Sequence, residues 1–582
     1  MIQPRGSSSP ERWLELLSFL YGADRASAAL RSLQARIERH RRIAPAPPAS
    51  AGPLSHRDAI LITYGDQLIK PGETPLRILN RFLQTYLREL LPGVHVLPFF
   101  PYSSDDGFSV IDYRQVDPRL GSWEDVRAIA AGHRLMVDAV VNHISARSAW
   151  FQDFLQGHPQ YQDYFITLDP ETDLSQVVRP RDLPLLTPFE TPHGTQYVWT
   201  TFSPDQIDLN FANPEVLLEI LDLLLFYIRQ GAQIIRLDAI AFLWKQLGTT
   251  CIHLPQTHAV VKLIRSVVDA IAPWVYIITE TNVPHAENIA YFGNGTDEAH
   301  MVYQFALPPL VLHTFLTGDA RVLSHWAAGL QTPSNKATFF NFLASHDGIG
   351  LRPAQGLLSE RDLDRLIRWT EARAGGVSYR RIGVDTRQPY ELNITYFEAL
   401  APSAEARRVT RAWISRFLAS QAIMLALVGV PGIYFHSLIG SRNDLRGVRR
   451  TDRWRSINRE KLDFDRLETK LHRPGTTAAR VFQGYRTLLR ARQSHPAFDP
   501  FGSQQVLMLN PGIFALLRLS QSGQPALLCL HEVAGQNHIL DLRIPGTPAR
   551  QGRDLIGMRN VYLERLRLEP YQVRWIALDE AS

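Results

Sequence analysis

A chain of 582 residues, 45% hydrophobic and 20% charged, is large enough for a barrel with insertions and an appended module, and it excludes disordered, collagen-like and coiled-coil classes. Its net charge of +5 is carried mostly by arginines with acidic residues beside them, which argues against a nucleic-acid partner and suits small anionic substrates. Two distant cysteines, Cys251 and Cys529, are too few for a disulfide framework and fit a reducing cytoplasm.

Glu11, Arg12 and Glu15 interrupt the first apolar stretch, so no signal peptide is expected. Leu14, Leu17 and Leu20, then Leu30, Leu33 and Ile37, recur at helical spacing and predict an N-terminal helical extension that ends in the linker PAPPASAGP, over residues 1–55. Beyond His56, eight apolar runs alternate with amphipathic stretches: AILITY, HVLPFF, LMVDAVV, QIIRLDA, VYIITET, AHMVYQFAL, ATFFNFLAS and VPGIYF. Eight parallel strands with helical crossovers predict an α/β fold, a (β/α)8 TIM barrel over residues 56–495. The intervals 143–207 and 348–393 are too long for plain connections and read as subdomains inserted after strands three and seven. The run SQAIMLALVGVPGIYF stops short of membrane-spanning length and reads as a buried helix leading into a strand, so no membrane association is expected. Short β-like runs with turns between them predict a small antiparallel domain over 496–582.

The chemistry gathers where the strands end, the face on which barrel enzymes keep their sites. Strand four ends Ile234-Ile235-Arg236-Leu237-Asp238, and strand alternation puts Arg236 and Asp238 on one face. An arginine there lowers the carboxyl pKa and keeps it ionised, as a nucleophile requires; alone, the pair is a weak motif that reads more readily as a structural salt bridge. Strand five ends in Glu280, whose apolar surroundings predict a raised pKa and a general acid. Strand seven ends His346-Asp347, a third carboxylate beside an imidazole. Three carboxylates each closing an apolar run are hard to attribute to accident, and a catalytically silent binding protein has no need of them. Strand three leads to His143, and strand two into Phe99-Phe100-Pro101-Tyr102-Ser103-Ser104-Asp105-Asp106-Gly107-Phe108, which suits either sugar stacking or packing plus a turn.

The motifs DAVVNH, RLDA, Glu280 and SHD together resemble the signature regions of the α-amylase superfamily, glycoside hydrolase family 13. GVHVLPFFPYSSDDGFSVIDY, YQFALPPLVLHTF and SHDGIG are similar to its sucrose phosphorylase subgroup. The resemblance implies a retaining α-glucoside phosphorylase, with Asp238 as nucleophile, Glu280 as acid/base and Asp347 as the residue gripping the sugar hydroxyls. It implies a glucose subsite of Asp105, Phe108, His143, Arg236, His346 and Arg459, edged by Phe202, Gln206 and Phe242. It assigns phosphate and acceptor to Arg181 in the first insertion and to Tyr390, Glu391 and Arg380 in the second. Glu391 stands where sucrose phosphorylases carry glutamine, and this, the helical extension, the Gly375–Arg381 loop and PYELN are similar to the glucosylglycerate-phosphorolysing branch. A carboxylate-bearing acceptor would give Arg380, Arg381 or Arg387 something to bind; the alternatives are sucrose or glucosylglycerol phosphorolysis. Asn142 matches a calcium ligand of many amylases, but the subgroup does without calcium, so no metal and no cofactor are expected. The expected partners are an α-glucoside and phosphate, with a homodimer as a permitted assembly and the cytoplasm as location.

Overall fold

The computed structural model describes residues 9–43, 48, 52–181, 183–381, 387–404, 406, 408–523, 526–544 and 549–578. Most of the PAPPASAGP linker lies outside them. All eight apolar runs form strands: β1 (Ile60–Thr63), β2 (Gly93–Val96), β3 (Arg134–Ala139), β4 (Ala232–Leu237), β5 (Tyr276–Thr279), β6 (Met301–Tyr303), β7 (Thr338–Phe342) and β8 (Val430–Tyr434). They close into a barrel in chain order, every neighbour parallel, with Ile60 opposite both Gly93 and Gly432 at the closing seam. Strands covered inside by one another's side chains and outside by helices are buried on both faces, which is why they read as continuous apolar runs rather than alternating ones. The seam is tight. A Cβ on Gly432 would lie 2.4 Å from the Phe340 ring, and one on Gly93 would lie 2.8 Å from the Ile60 side chain.

Ahead of the barrel, α1 (Pro10–Tyr21) and α2 (Ala23–Ile43) form a helical hairpin. Ser9 caps α1, and Gly22, at φ +78°, makes the turn between them. The hairpin packs on the outer layer against α3 (Pro214–Arg229) and α4 (Pro255–Ile271), the helices before and after β4. Trp13 Nε1 donates to Ser266 Oγ at 2.8 Å, Tyr21 Oη to the Phe211 carbonyl at 3.0 Å, and His40 meets Asp222 at 2.9 Å. Leu17, Leu33 and Ile37 are buried and join the apolar cluster that continues into the barrel.

Residues 143–208 leave β3 and return through a short antiparallel pair, His143–Ser145 with Gln206–Asp208, and carry a hairpin of Leu186–Thr191 with Gly194–Trp199. Beyond β7, Ile349–Gly350, Arg387–Asn393 and Gly376–Arg381 form a three-stranded antiparallel sheet. The expected Gly375–Arg381 loop is therefore mostly a strand, its Arg380 paired in register with Gln388. At the C-terminus a six-stranded antiparallel sheet stands against the barrel. Arg518, fully buried, donates to the carbonyls of Ala426, Ala497 and Asp499 and so ties sheet to barrel through backbone oxygens. Both cysteines are buried and unpaired with one another. Among the described residues no helix is long and apolar enough to cross a membrane.

Candidate active site

The C-terminal rim of the barrel, roofed by the two insertions, encloses a cavity that gathers most of the residues singled out from the sequence. From the strand ends come Arg236, Asp238, Glu280, His346 and Asp347; from the loop after β2, Asp105 and Phe108. The first insertion contributes His143, Arg181, Phe202 and Gln206, the turn after β4 Phe242, and the second insertion Arg380 and Tyr390.

Two backbone features aim the carboxylates. Asp238 N donates to the Ala139 carbonyl at 3.1 Å and Glu280 N to the Leu237 carbonyl at 3.0 Å, so both residues still belong to the barrel's hydrogen-bond ladder. The next residue, Ala239, takes φ +49°, a left-handed conformation that costs about 1–3 kcal/mol in a non-glycine residue, and its N–H donates to Glu280 Oε2 at 3.1 Å. The loop carrying Asp105 is held the same way, with Asp105 at φ +53° and Asp106 at +50°. Gly107 follows at +112°, where a Cβ would sit 2.8 Å from the Pro98 carbonyl oxygen.

Arg236 is the electrostatic centre. Its guanidinium lies 2.5 Å from Asp138, 2.6 Å from Asp238 and 4.0 Å from Glu280, and it is 3% exposed. Asp138 is held from the other side by His95 at 2.6 Å. Burial and the attraction of Arg236 and Asp238 oppose each other here, and the outcome for Asp238 differs from the expectation. Burial raises its pKa; Arg236 opposes this, while the Asp138 carboxylate beyond adds to it. A lone arginine would lower it, but here one guanidinium is shared among several carboxylates. Glu280 rises to about 7, driven by burial and then by the negative charge of Asp238 and Asp347, against Arg236. Asp347 goes the other way: burial would raise it, but Arg455, His346 and Arg459 hold it well below the usual carboxylate range. His346 stacks on Phe108 with ring centres 4.7 Å apart, and burial pushes its pKa down to about 3. Phe202 contacts the rings of His143 at 5.2 Å and Phe242 at 5.5 Å, closing one side. Gln206 and His143 meet at 3.1 Å and both contact the Phe108 carbonyl.

Two expected wall residues stand elsewhere. Glu391 is 1% exposed and sits behind the cavity, where it takes both the Nε (3.1 Å) and Nη2 (2.7 Å) protons of Arg455 and the Gly348 N–H. Its short, acidic side chain serves an arginine and not the cavity. Arg459 is also set back: it binds Asp106, the neighbour of the cavity-lining Asp105, and donates to the His346 carbonyl at 2.8 Å. Arg387 is exposed at the far end of the hairpin, and the side chain of Arg381 lies outside the described residues. Sequence reasoning missed Arg455, which lines the cavity and meets Asp347 at 2.7 Å, and also Asn282 and Arg352. Asn282 donates to Tyr390 Oη at 3.2 Å, and the Arg181 guanidinium lies over the Tyr390 ring at 5.9 Å, so the two insertions meet above β5. Asn142 is not free for a cation, because its amide oxygen accepts from Lys245 Nζ at 3.0 Å and Lys245 also pairs with Asp208 at 2.5 Å.

A buried acid of raised pKa facing a carboxylate, both at strand ends of a parallel barrel, defines a glycoside-processing site of the α-amylase kind. The chain belongs to the α-amylase family, glycoside hydrolase family 13, in its sucrose phosphorylase subgroup. Residues 83–348 match the α-amylase catalytic domain. The chain is 54% identical over 528 residues to a glucosylglycerate phosphorylase of Spirochaeta thermophila, covering 90% of this chain and 89% of that one. It is 50% identical to a glucosylglycerate phosphorylase of Allomeiothermus silvanus, over 97% of this chain and 98% of the other. Among solved structures, sucrose 6F-phosphate phosphorylase from Thermoanaerobacter thermosaccharolyticum superposes with a TM-score of 0.72 at 25% identity, covering 83% of this chain and 96% of that one.

Proposed function

We propose that this chain is a cytoplasmic, cofactor-independent phosphorylase that reversibly converts 2-O-α-glucosylglycerate and phosphate into α-glucose 1-phosphate and D-glycerate with retention of configuration. The observation that carries the reading is the pairing of Asp238 with a Glu280 raised to about 7, beneath a roof lined by arginines. The similarity to glucosylglycerate phosphorylases over nearly the whole chain supports the choice of acceptor.

In the first half-reaction an Asp238 oxygen attacks the anomeric carbon, the bond from that carbon to the glycerate oxygen breaks, and the Glu280 proton passes to the leaving oxygen. In the second, a phosphate oxygen attacks the same carbon, the ester bond to Asp238 breaks, and Glu280 takes back a proton. Two inversions give net retention. Asp347, kept ionised by Arg455, accepts hydrogen bonds from sugar hydroxyls, and the Phe108–His346 stack offers the ring an apolar wall. Arg181 draws phosphate to the glucosyl enzyme in place of water, since a guanidinium fork matches phosphate geometry.

The test is a panel in the synthetic direction: α-glucose 1-phosphate with D-glycerate, glycerol, fructose or fructose 6-phosphate, reading phosphate release. Glycerate should be the best acceptor. Faster release with fructose would replace this reading with sucrose phosphorolysis.

A further inference from the structure

Arginines dominate the acceptor end of the cavity, and their partners differ. Arg455 is fully compensated by Asp347 and Glu391. Arg380, from the hairpin of the second insertion, directs Nε (3.1 Å) and Nη2 (2.7 Å) at one neutral acceptor, Gln388 Oε1, its cross-strand partner. Among the described residues it forms no ion pair, and the Glu287 carboxylate acts on it only from a distance. Arg352, at the start of that insertion, is 15% exposed and has, among the described residues, one long ionic contact, Nη2 to Glu287 at 3.4 Å. Glu287 is divided, since it also accepts from His253 at 3.1 Å, and it is 42% exposed. Arg352 and Arg380 therefore line one cavity with less negative charge between them than they carry.

We infer that Arg352 and Arg380 form a carboxylate subsite, a two-guanidinium clamp that fixes the acid group of the acceptor while Arg181, on the opposite insertion, serves phosphate. This deepens the proposed function and rests on it. An anion between two guanidiniums relieves their mutual repulsion as well as gaining charge-assisted hydrogen bonds, so a carboxylate is worth more here than at a single arginine. The repulsion is felt already: burial, then the charge of Arg352, lowers the pKa of Arg380. Gln388 pins the Arg380 fork without neutralising it, which a carboxylate in its place would do.

The experiment compares three acceptors with α-glucose 1-phosphate as donor: D-glycerate, its uncharged isostere D-glyceramide, and water as the internal reference for a folded, glucosylated enzyme. The wild type should prefer glycerate to glyceramide by about 10- to 100-fold in kcat/KM, the range expected for charged hydrogen bonds. Arg352→Gln and Arg380→Gln should each cut that preference at least several-fold while hydrolysis of the donor persists. Arg352→Lys, which keeps the charge without the fork, should fall between wild type and Arg352→Gln and covers the case in which the glutamine variant fails to fold. An unchanged glycerate-to-glyceramide ratio in these variants would overturn the clamp and leave the proposed function standing. A wild type that ignores glycerate altogether would overturn both.

Discussion

Arg455 holds two carboxylates at once, Asp347 at 2.7 Å and Glu391 at 2.7 Å, and Arg455→Met removes both contacts while keeping most of the side-chain volume. Glu391 is left 1% exposed with, among the described residues, only the Gly348 N–H. Asp347 retains the Arg459 guanidinium at 3.9 Å. Deleting one partner of a buried pair costs about 3–5 kcal/mol, because the other charge stays behind unsolvated. A chain of 582 residues melting as one unit has an unfolding entropy of about 1.2 kcal/mol/K, so that loss lowers Tm by roughly 2.5–4 °C. The double variant Arg455→Met/Glu391→Gln removes the stranded charge along with the arginine, and it should melt above the Arg455→Met single variant. Scanning calorimetry of wild type, both single variants and the double at one scan rate completes the cycle. Additive losses, with the double variant melting lowest, would refute the view that Arg455 exists to compensate these two buried acids.

Other expectations concern the reaction. Glu280 must carry its proton to act as an acid, so kcat/KM for glucosylglycerate should fall as pH rises through about 7. Glu280→Gln should slow phosphorolysis of glucosylglycerate by about 10²–10⁴-fold and spare an activated donor such as α-glucosyl fluoride; equal losses would remove Glu280 from the acid role. Arg181→Ala should raise the apparent constant for phosphate by about 10-fold or more and increase the share of donor lost to water, and an unmoved phosphate constant would place phosphate away from Arg181.

The barrel was legible because strands buried on both faces leave short apolar runs, and because a carboxylate closing such a run sits at the rim by construction, as with Asp238 after Ile234-Ile235. Local pattern could not disclose long-range pairing. Glu391 and Arg455 lie 64 residues apart, and only the fold brings the hairpin strand against the turn that carries Arg455, which moves Glu391 behind the wall. The same holds for Arg459, whose partner Asp106 is 353 residues away and differs from its neighbour Asp105 by one position in a left-handed turn. The direction of the Asp238 shift escaped for a related reason. Arg236 is visible two residues earlier, but the burial that raises Asp238 is a property of the assembled fold, and the Asp138 that shares the guanidinium comes from another strand. A signal for Arg455 did exist, two arginines four residues apart in the turn after β8, yet arginine-rich turns are common throughout this chain.

The docking of the N-terminal hairpin has a consequence for how the molecule is made. Trp13 and its partner Ser266 are separated by 253 residues, and at a synthesis rate of about 5–20 residues per second the gap lasts roughly 13–50 s. Through that interval α1 and α2 have been translated, but the ribosome has not yet delivered α4, so the apolar stripe of Trp13, Leu17 and Leu20 has no surface to cover. Nascent chains stalled before residue 266 should therefore expose a sticky hairpin of the kind that chaperones retain, and chains stalled well beyond it should not.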